Sequence, residues 1–313
     1  MNAQAHVARM TLREKCAQMV FIEHRFEDHD PDLVSRLVRT EGIGGMVLSG
    51  GSVFDVPSFV NWAQKVAKFP LLVAANYEDG AGAQVQGATA FPPSGAIAAT
   101  GSTDFAQTKA RQTGLEARTL GVRMVLAPSV GDPFARAAIE GFHFSKVAVC
   151  LKTFPHPDIG GLLAEADAVL VRHEAVPDLD DDAVASQSRA AILGILRREL
   201  RFEGLVITDE LTRLGEGLEI VEQAANAGAD VLLRPSNPVA AIEGLESAVK
   251  GGRVGESTID RAVTRLLLRK ERMGLFAERA VDVSRVERVV GSQAHRAAAQ
   301  RMADAAERAR GGS

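Results

Sequence analysis

With 313 residues, 46% of them hydrophobic and 24% charged, the chain has ample apolar material for a core and no charge excess that would keep it unfolded. Its net charge of -4 argues against a nucleic-acid partner or an anionic membrane surface. The opening Met1-Asn2-Ala3-Gln4-Ala5-His6 lacks the apolar stretch of a signal peptide, and no later run is long enough to span a bilayer, so a soluble cytoplasmic protein with no membrane contact is expected.

In chain order, the first apolar run is Met19–Glu23, and a helix pattern over Pro31–Thr40 leads to the second, Gly44–Ser49. A helix over Val56–Lys68 precedes the run Leu71–Tyr77, and one over Asp104–Leu120 precedes Val122–Val130. Gly131-Asp132-Pro133 then opens a brief helix, Phe134–Glu140, before Val147–Phe154, and the connection Pro155–Glu165 to the next run, Ala168–Glu174, is also short. The acidic run Asp178–Asp182 reads as a solvated loop opening a helix over Asp182–Leu200. Leu205–Leu211, a helix over Gly217–Ala227, Ala229–Pro235 and a helix over Pro238–Lys250 complete the series. Beyond it, Ser257–Leu275 is amphipathic, with Ser257 and Asp260 spaced as a capping box and Leu266, Leu267 and Met273 toward the core. The Ala- and Arg-rich Ser284–Arg310 is helical and packs either on the rest of the chain or on a partner, so the oligomeric state stays open.

Most of the apolar runs are continuous rather than alternating, as in parallel strands covered on both faces. Strand and helix alternating eight times imply an α/β fold: a (β/α)₈ TIM barrel as a single domain with extra C-terminal helices. A doubly wound open sheet is the competitor, and no G-x-G-x-x-G turn follows the first strand to support it. Barrel active sites form where strands end, which points to Glu23, Ser49, the stretch Asn76-Tyr77-Glu78-Asp79, Lys152, His173 and Asp209-Glu210. Asp209 is either a carboxylate nucleophile or a structural cap of the next turn, and Glu210 is expected to face elsewhere. Lys152 is an ion-pair partner or, if desolvated, a Schiff-base former. His156-Pro157-Asp158 is an imidazole oriented by a carboxylate, able to exchange protons near neutral pH, or a plain surface turn. His173 is a ligand to substrate or a satisfied, partly buried histidine. The chain has one Trp and one Tyr, so Tyr77 is the single aromatic side chain expected at the mouth, while Trp62 packs away from it. Cys16 and Cys150 have neither metal nor redox spacing and read as buried thiols in a reducing compartment. No His/Cys/Asp cluster has metal-ligand spacing, no phosphate loop is present, and no cofactor is expected.

Several segments resemble the N-terminal barrel of the family 3 glycoside hydrolases, in particular its bacterial β-N-acetylglucosaminidase branch. They include Leu12-Arg13-Glu14-Lys15-Cys16-Ala17-Gln18-Met19, Phe91-Pro92-Pro93-Ser94-Gly95-Ala96-Ile97-Ala98-Ala99-Thr100-Gly101 and Arg198-Glu199-Leu200-Arg201-Phe202-Glu203-Gly204-Leu205-Val206-Ile207-Thr208-Asp209. Gly42–Leu48, Glu116–Val122, Ala227–Leu233, Ile259–Phe276 and Val290–Arg296 fit in the same order, so the resemblance covers nearly the whole chain, with residues 1–276 as the barrel and 277–313 as a helical extension. The resemblance implies that Asp209 is the nucleophile of a retaining β-glycosidase, that Lys152 hydrogen-bonds sugar hydroxyls and that His173 holds a substrate-binding position. It also places Asn76, Tyr77 and Glu78 along the substrate. The departures are equally specific. Asn76 stands for an Asp, Ala81 for an Arg, and Thr153 for the histidine after the lysine. The loop that carries an Asp-Ser-His acid/base is missing, leaving His156 and Asp158 as its local substitute. Each lost charged hydrogen bond costs about 1.5–3 kcal/mol, so a usual hexosaminide would bind poorly. The expectation is a divergent, β-N-acetylhexosaminidase-like enzyme for a small glycoside. A silent barrel used for binding or scaffolding, or a barrel repurposed for non-hydrolytic chemistry with Lys152 and a histidine as proton carriers, stays open beside it.

Overall fold

The computed structural model describes residues 3–28, 30–177 and 179–311; Asp178 of the acidic run lies outside them. Eight parallel strands form one sheet: β1 (Val20–Arg25), β2 (Gly45–Ser49), β3 (Leu72–Ala75), β4 (Met124–Val125), β5 (Ala148–Phe154), β6 (Ala168–Val171), β7 (Leu205–Thr208) and β8 (Leu232–Leu233). β8 pairs with β1 through Val20–Leu232 and Phe21–Leu233, and an Ile207–Val231 bridge joins β7 to the start of β8, so the sheet closes into a barrel. Each of the eight apolar runs coincides with one strand, the first strand running on past its apolar run to Arg25, because a parallel strand in a barrel is buried on both faces. Phe21, Leu72, Met124, Cys150, Leu205 and Val231 fill the interior, while their neighbours Val20, Ile22, Val73, Val125, Val149 and Val206 face the surrounding helices. Gly45 serves this packing directly: a Cβ there would lie 2.5 Å from the Phe21 ring and 2.3 Å from the Leu72 carbonyl oxygen. Both cysteines are buried and free, and burial pushes the Cys16 thiol up to about 12.

The main helices are α1 (Leu12–Met19), α2 (Asp55–Val66), α3 (Thr103–Leu120), α4 (Ala135–Phe144), α5 (Leu218–Ala227), α6 (Pro238–Lys250), α7 (Glu256–Arg272) and α8 (Gln293–Gly311). Three expectations are corrected. The segment expected as one helix over Asp182–Leu200 opens instead on the second strand of an antiparallel hairpin, Ala175–Val176 with Asp180–Val184, continues through a short 3-10 helix, Ala185–Gln187, and forms its main helix over Ala190–Glu199. Ser257 does not cap α7; Gly255 occupies that position, and Asp260 instead accepts an ion pair from Lys15 at 2.7 Å. The capping box lies at α1, where Thr11 and Glu14 satisfy each other's backbone N–H groups. The C-terminal segment is broken into short turns before α8, which packs on the barrel rather than waiting for a partner. Ala298 and Met302 meet Phe91, Ile97 and Ala106. Beneath them, fully buried Glu116 accepts from Gly291 N–H at 2.9 Å and pairs with His295 Nδ1 at 2.7 Å. No helix among the described residues is long and apolar enough to cross a membrane.

The closed end of the barrel carries a second set of buried charges. Asp230, just before β8, binds Arg197 at 2.5 Å, Arg265 at 3.1 Å and the Val206 N–H at 2.9 Å. Asp167, just before β6, binds His143 at 3.0 Å and Arg269 at 2.9 Å. Conservative structural use of this end fits the division of labour in barrels, where stability sits opposite the active face. Lys270 is fully buried there and donates to Gln18 Oε1 at 2.7 Å. Desolvation, with the Arg279 charge acting in the same direction, holds its pKa well below the ordinary lysine range. Between that depressed folded value and the unfolded value near ~10.4, unfolding takes up a proton, so this group makes stability rise with pH. Urea denaturation of the wild type and Lys270→Met from pH 8 to 10 should show the wild type gaining on the variant by up to about 1.4 kcal/mol per pH unit. A constant difference between the two would mean that Lys270 stays protonated in the fold.

Candidate active site

The C-terminal ends of the strands surround a cavity of about 250 Å³. Its floor is apolar, made by Val47, Leu126, Leu170 and Leu233 from the top layer of the barrel interior. Its walls are polar: Glu23 and Ser49 follow from β1 and β2, Asn76 from β3, and Asp209 and Glu210 from β7. The Asp209 N–H donates to the Val171 carbonyl at 2.8 Å, which fixes the chain just beyond β7. The Asp209 carboxylate accepts the Glu210 N–H at 2.8 Å, and its other oxygen lies 3.8 Å from Arg213, leaving the side chain 20% exposed toward the cavity. Thus Asp209 is neither buried under packed residues nor closed off by a tight ion pair.

Glu210 was expected to face elsewhere, but it lines the same cavity and binds Arg234 at 3.0 Å and Arg213 at 3.3 Å. Lys152 stands directly behind Asn76, 3.4 Å from its Oδ1, and forms an ion pair with Glu78. Glu78 Oε1 in turn accepts the Ser129 N–H at 2.9 Å, so this pair is anchored to the loop after β4. Ion pairing is therefore the state in which Lys152 rests, rather than that of an isolated amine. His173 touches the site through the backbone: its Nε2 meets the Glu210 carbonyl at 2.9 Å and its Nδ1 meets Ser186 Oγ at 2.7 Å. A carbonyl only accepts, so Nε2 carries the proton and the Ser186 hydroxyl donates to Nδ1. His173 thereby positions the segment that carries Asp209 and Glu210.

Lys152, Glu78 and His173 stand behind the lining of the cavity rather than on it, and two further groups of residues fall outside it. Tyr77 is 1% exposed and packs between sheet and helices, where burial and the Glu116 charge raise its hydroxyl pKa; it presents no ring to the mouth. Side-chain alternation explains this correction, since Asn76 points to the mouth and its neighbour must point away. His156 and Asp158 do not line the cavity either. His156 Nδ1 accepts the Asp158 N–H at 3.2 Å and caps a short turn, Pro157–Gly161, while the Asp158 side chain is 80% exposed. A capping imidazole with a solvent-facing neighbour is the surface-turn reading of this segment.

Arg234, Arg213 and Gln84 complete the cavity and were not anticipated. Arg234 binds Glu23 at 2.8 Å as well as Glu210, and Glu23 also holds Arg25 at 2.9 Å. Arg234 has φ 50, and its N–H donates to the Phe21 carbonyl at 2.7 Å. A left-handed arginine costs on the order of 1–3 kcal/mol and persists where its surroundings impose it. The sequence did hold a signal for it, a charged residue directly after the apolar Val231-Leu232-Leu233 of the eighth strand. Arg213 and Gln84 come from irregular turns and carry no such signal. Among the described residues, no group of three or more His, Cys, Asp or Glu side chains could hold a metal ion.

Residues 11–149 and 159–268 match the glycosyl hydrolase family 3 N-terminal domain, and the interruption falls on the stretch that holds Lys152, His156 and Asp158. A β-N-acetylglucosaminidase/β-glucosidase of Cellulomonas fimi is 26% identical over 339 residues, covering 88% of this chain and 60% of its own length. The chain thus spans less than two thirds of that relative. A family 3 β-N-acetylglucosaminidase from Paenibacillus sp. str. FPU-7 superposes with a TM-score of 0.85 at 26% identity, covering 95% of this chain and 69% of that one. A β-glucoside phosphorylase bound to 2FGlc superposes with a TM-score of 0.89 at 20% identity, covering 96% of this chain and 66% of that one. On the extent of the family match, together with the closed eight-stranded barrel, the chain belongs to glycosyl hydrolase family 3 and carries its N-terminal domain.

Proposed function

We propose that the protein is a retaining β-glycosidase for a small glycoside, related in specificity to the β-N-acetylhexosaminidases, with Asp209 as its nucleophile. The observation that carries this reading is the Asp209 carboxylate at the end of β7, open to a polar cavity and bound only by a backbone N–H and a distant guanidinium. In a retaining reaction such a carboxylate attacks the anomeric carbon, forms a glycosyl ester and releases the aglycone; water then hydrolyses the ester. The cavity, about 250 Å³, is below the usual ~300–1,000 Å³ range of ligand pockets, which favours a single sugar ring. Its apolar floor suits one face of such a ring, and its charged walls suit the hydroxyl groups.

The direct test is trapping with a 2-deoxy-2-fluoro glycoside carrying a dinitrophenyl leaving group. That leaving group needs no proton, so the experiment tests Asp209 independently of any general acid. Intact mass should increase by one fluoroglycosyl unit, and peptide mapping should place it on Asp209. Labelling elsewhere would remove the nucleophile assignment. In the same assay Lys152→Met should lower kcat/KM roughly 10- to 150-fold, the effect of losing one charged hydrogen bond of about 1.5–3 kcal/mol. An unchanged kcat/KM would confine Lys152 to its structural pair with Glu78.

A second reading, a barrel that binds a sugar without cleaving it, is favoured by one observation. His156 and Asp158 sit on a surface turn away from the cavity, so they do not bring an acid/base group to Asp209. Sugar binding by calorimetry without labelling or turnover across a panel of aryl glycosides would select it.

A further inference from the structure

Arg123 immediately precedes β4 at the closed end of the barrel and is 3% exposed. Its Nη1 donates to the Arg118 carbonyl at 3.0 Å, but its Nε is buried without a hydrogen-bond partner. Among the described residues no carboxylate lies within ion-pair distance of it, in contrast to Arg197, Arg265 and Arg269 at the same end. Burial lowers the Arg123 pKa to about 10, with the Arg118 charge adding to the effect and Glu278 opposing it. A desolvated guanidinium normally has an anion beside it, because removing the charge from water is costly and only a close counter-charge offsets that cost.

Arg123 lines a cavity of about 130 Å³ together with Arg118 and Arg285. By the ~30 Å³ that a water occupies in the liquid, this is room for about four waters, enough for a small oxyanion. Glu278 and Asp282 are the acidic groups on its wall. Asp282 is already held by the Ser284 N–H at 3.0 Å and hydroxyl at 2.6 Å. Arg118 also forms the wall of a neighbouring cleft of about 400 Å³, with His143, Lys146, Arg269 and Arg272. The single carboxylate there, Asp167, is taken up by His143, Arg269 and the Val149 N–H. The charges of Arg118, Lys146 and Arg272 therefore remain without a carboxylate partner, on a protein whose net charge is -4. Local accumulation of one sign raises the concentration of the opposite ion at a cleft.

We propose that this face holds a second binding site, distinct from the barrel mouth, in which Arg123 and Arg118 bind a small oxyanion, a phosphate group or a carboxylate. The guanidinium fork offers paired N–H donors to two oxygens. Lys146 and Arg272 lie on the adjoining approach and steer the anion inward.

Thermal unfolding of the full chain at constant ionic strength tests this, with inorganic phosphate, glucose 6-phosphate and acetate added in exchange for chloride. At least one should give a saturable rise in Tm of about 2–4 °C at tenfold excess over its Kd, and calorimetry should return the same Kd. Which anion acts distinguishes free phosphate, a phosphate ester and a carboxylate as the source. Arg123→Met should remove the response and, by deleting an unpaired buried charge, keep or raise Tm in chloride. Should Arg123→Met fail to fold, Arg118→Gln should weaken binding at least tenfold. Asp209→Asn should respond as the wild type does, which separates this site from the mouth. No response beyond chloride, or an equal response in both arginine variants, would overturn the proposal.

Discussion

Asp209→Asn is expected to lower kcat on an aryl β-glycoside by on the order of 10⁴–10⁶-fold while leaving the fold intact, as for removal of a residue that forms the covalent intermediate. The fold should survive because the amide oxygen of asparagine still accepts the Glu210 N–H at this position, and the Arg213 contact is 3.8 Å long on a side chain that is 62% exposed. A surface contact of that kind contributes little to stability. The chemical role is separable from any structural one by rescue. Asp209→Gly with added azide should form a glycosyl azide of inverted anomeric configuration, because the small nucleophile takes the vacated position below the anomeric carbon. A folded variant with wild-type turnover, or a folded Asp209→Gly that azide does not rescue, would end the assignment.

The largest stability effect is expected at Asp230. Its carboxylate is fully buried and neutralises Arg197, which is itself 10% exposed, and Arg265, which is 27% exposed. Asp230→Ala removes both ion pairs and the acceptor for the Val206 N–H, leaving that strand N–H without its acceptor and the buried Arg197 guanidinium, still bound to the Phe202 and Gly204 carbonyls, without a counter-charge. Removing one side of a buried pair costs about 3–5 kcal/mol, most of it the penalty on the group left behind. The corresponding fall in Tm is roughly 5–15 °C for a chain of this size. Asp230→Ala combined with Arg197→Met should recover part of the loss, since an apolar pair has no stranded charge. Equal losses in the single and double variants would show that the carboxylate acts through Val206 and Arg265 rather than through Arg197.

Both predictions draw on the same asymmetry. Both ends of the barrel carry charged groups, but they are arranged differently. At the closed end, Asp167 and Asp230 are each saturated by guanidinium and backbone donors. At the open end, a line of charges runs from Arg25 through Glu23, Arg234 and Glu210 to Arg213, and Asp209 stands at its edge with the longest contact. This row ties the walls of the cavity together and leaves the Asp209 carboxylate the least engaged of its charged groups, as the proposed covalent role would require.

The sequence by itself determined the eight strands, the barrel class and the position of Asp209. Continuous apolar runs are legible because parallel barrel strands are buried on both faces, and a polar residue directly after such a run has to emerge at the mouth. It determined the α6 helix, Pro238–Lys250, for the same local reason: a capping asparagine, a proline in the first turn and a helical apolar stripe all act within the segment. Tertiary structure alone decided what each polar side chain meets. The run Asp180–Asp182 pairs as an exposed hairpin, although its composition resembles a helix start, because strand pairing is set by a neighbour and not by the acids themselves. Tyr77 went into the packing layer, His156 folded back onto its own turn, and Arg234 reached Glu23 from the other end of the chain. The Arg234–Glu23 contact depends on ring closure of the barrel, which brings the first and eighth strands together, and no local pattern encodes it.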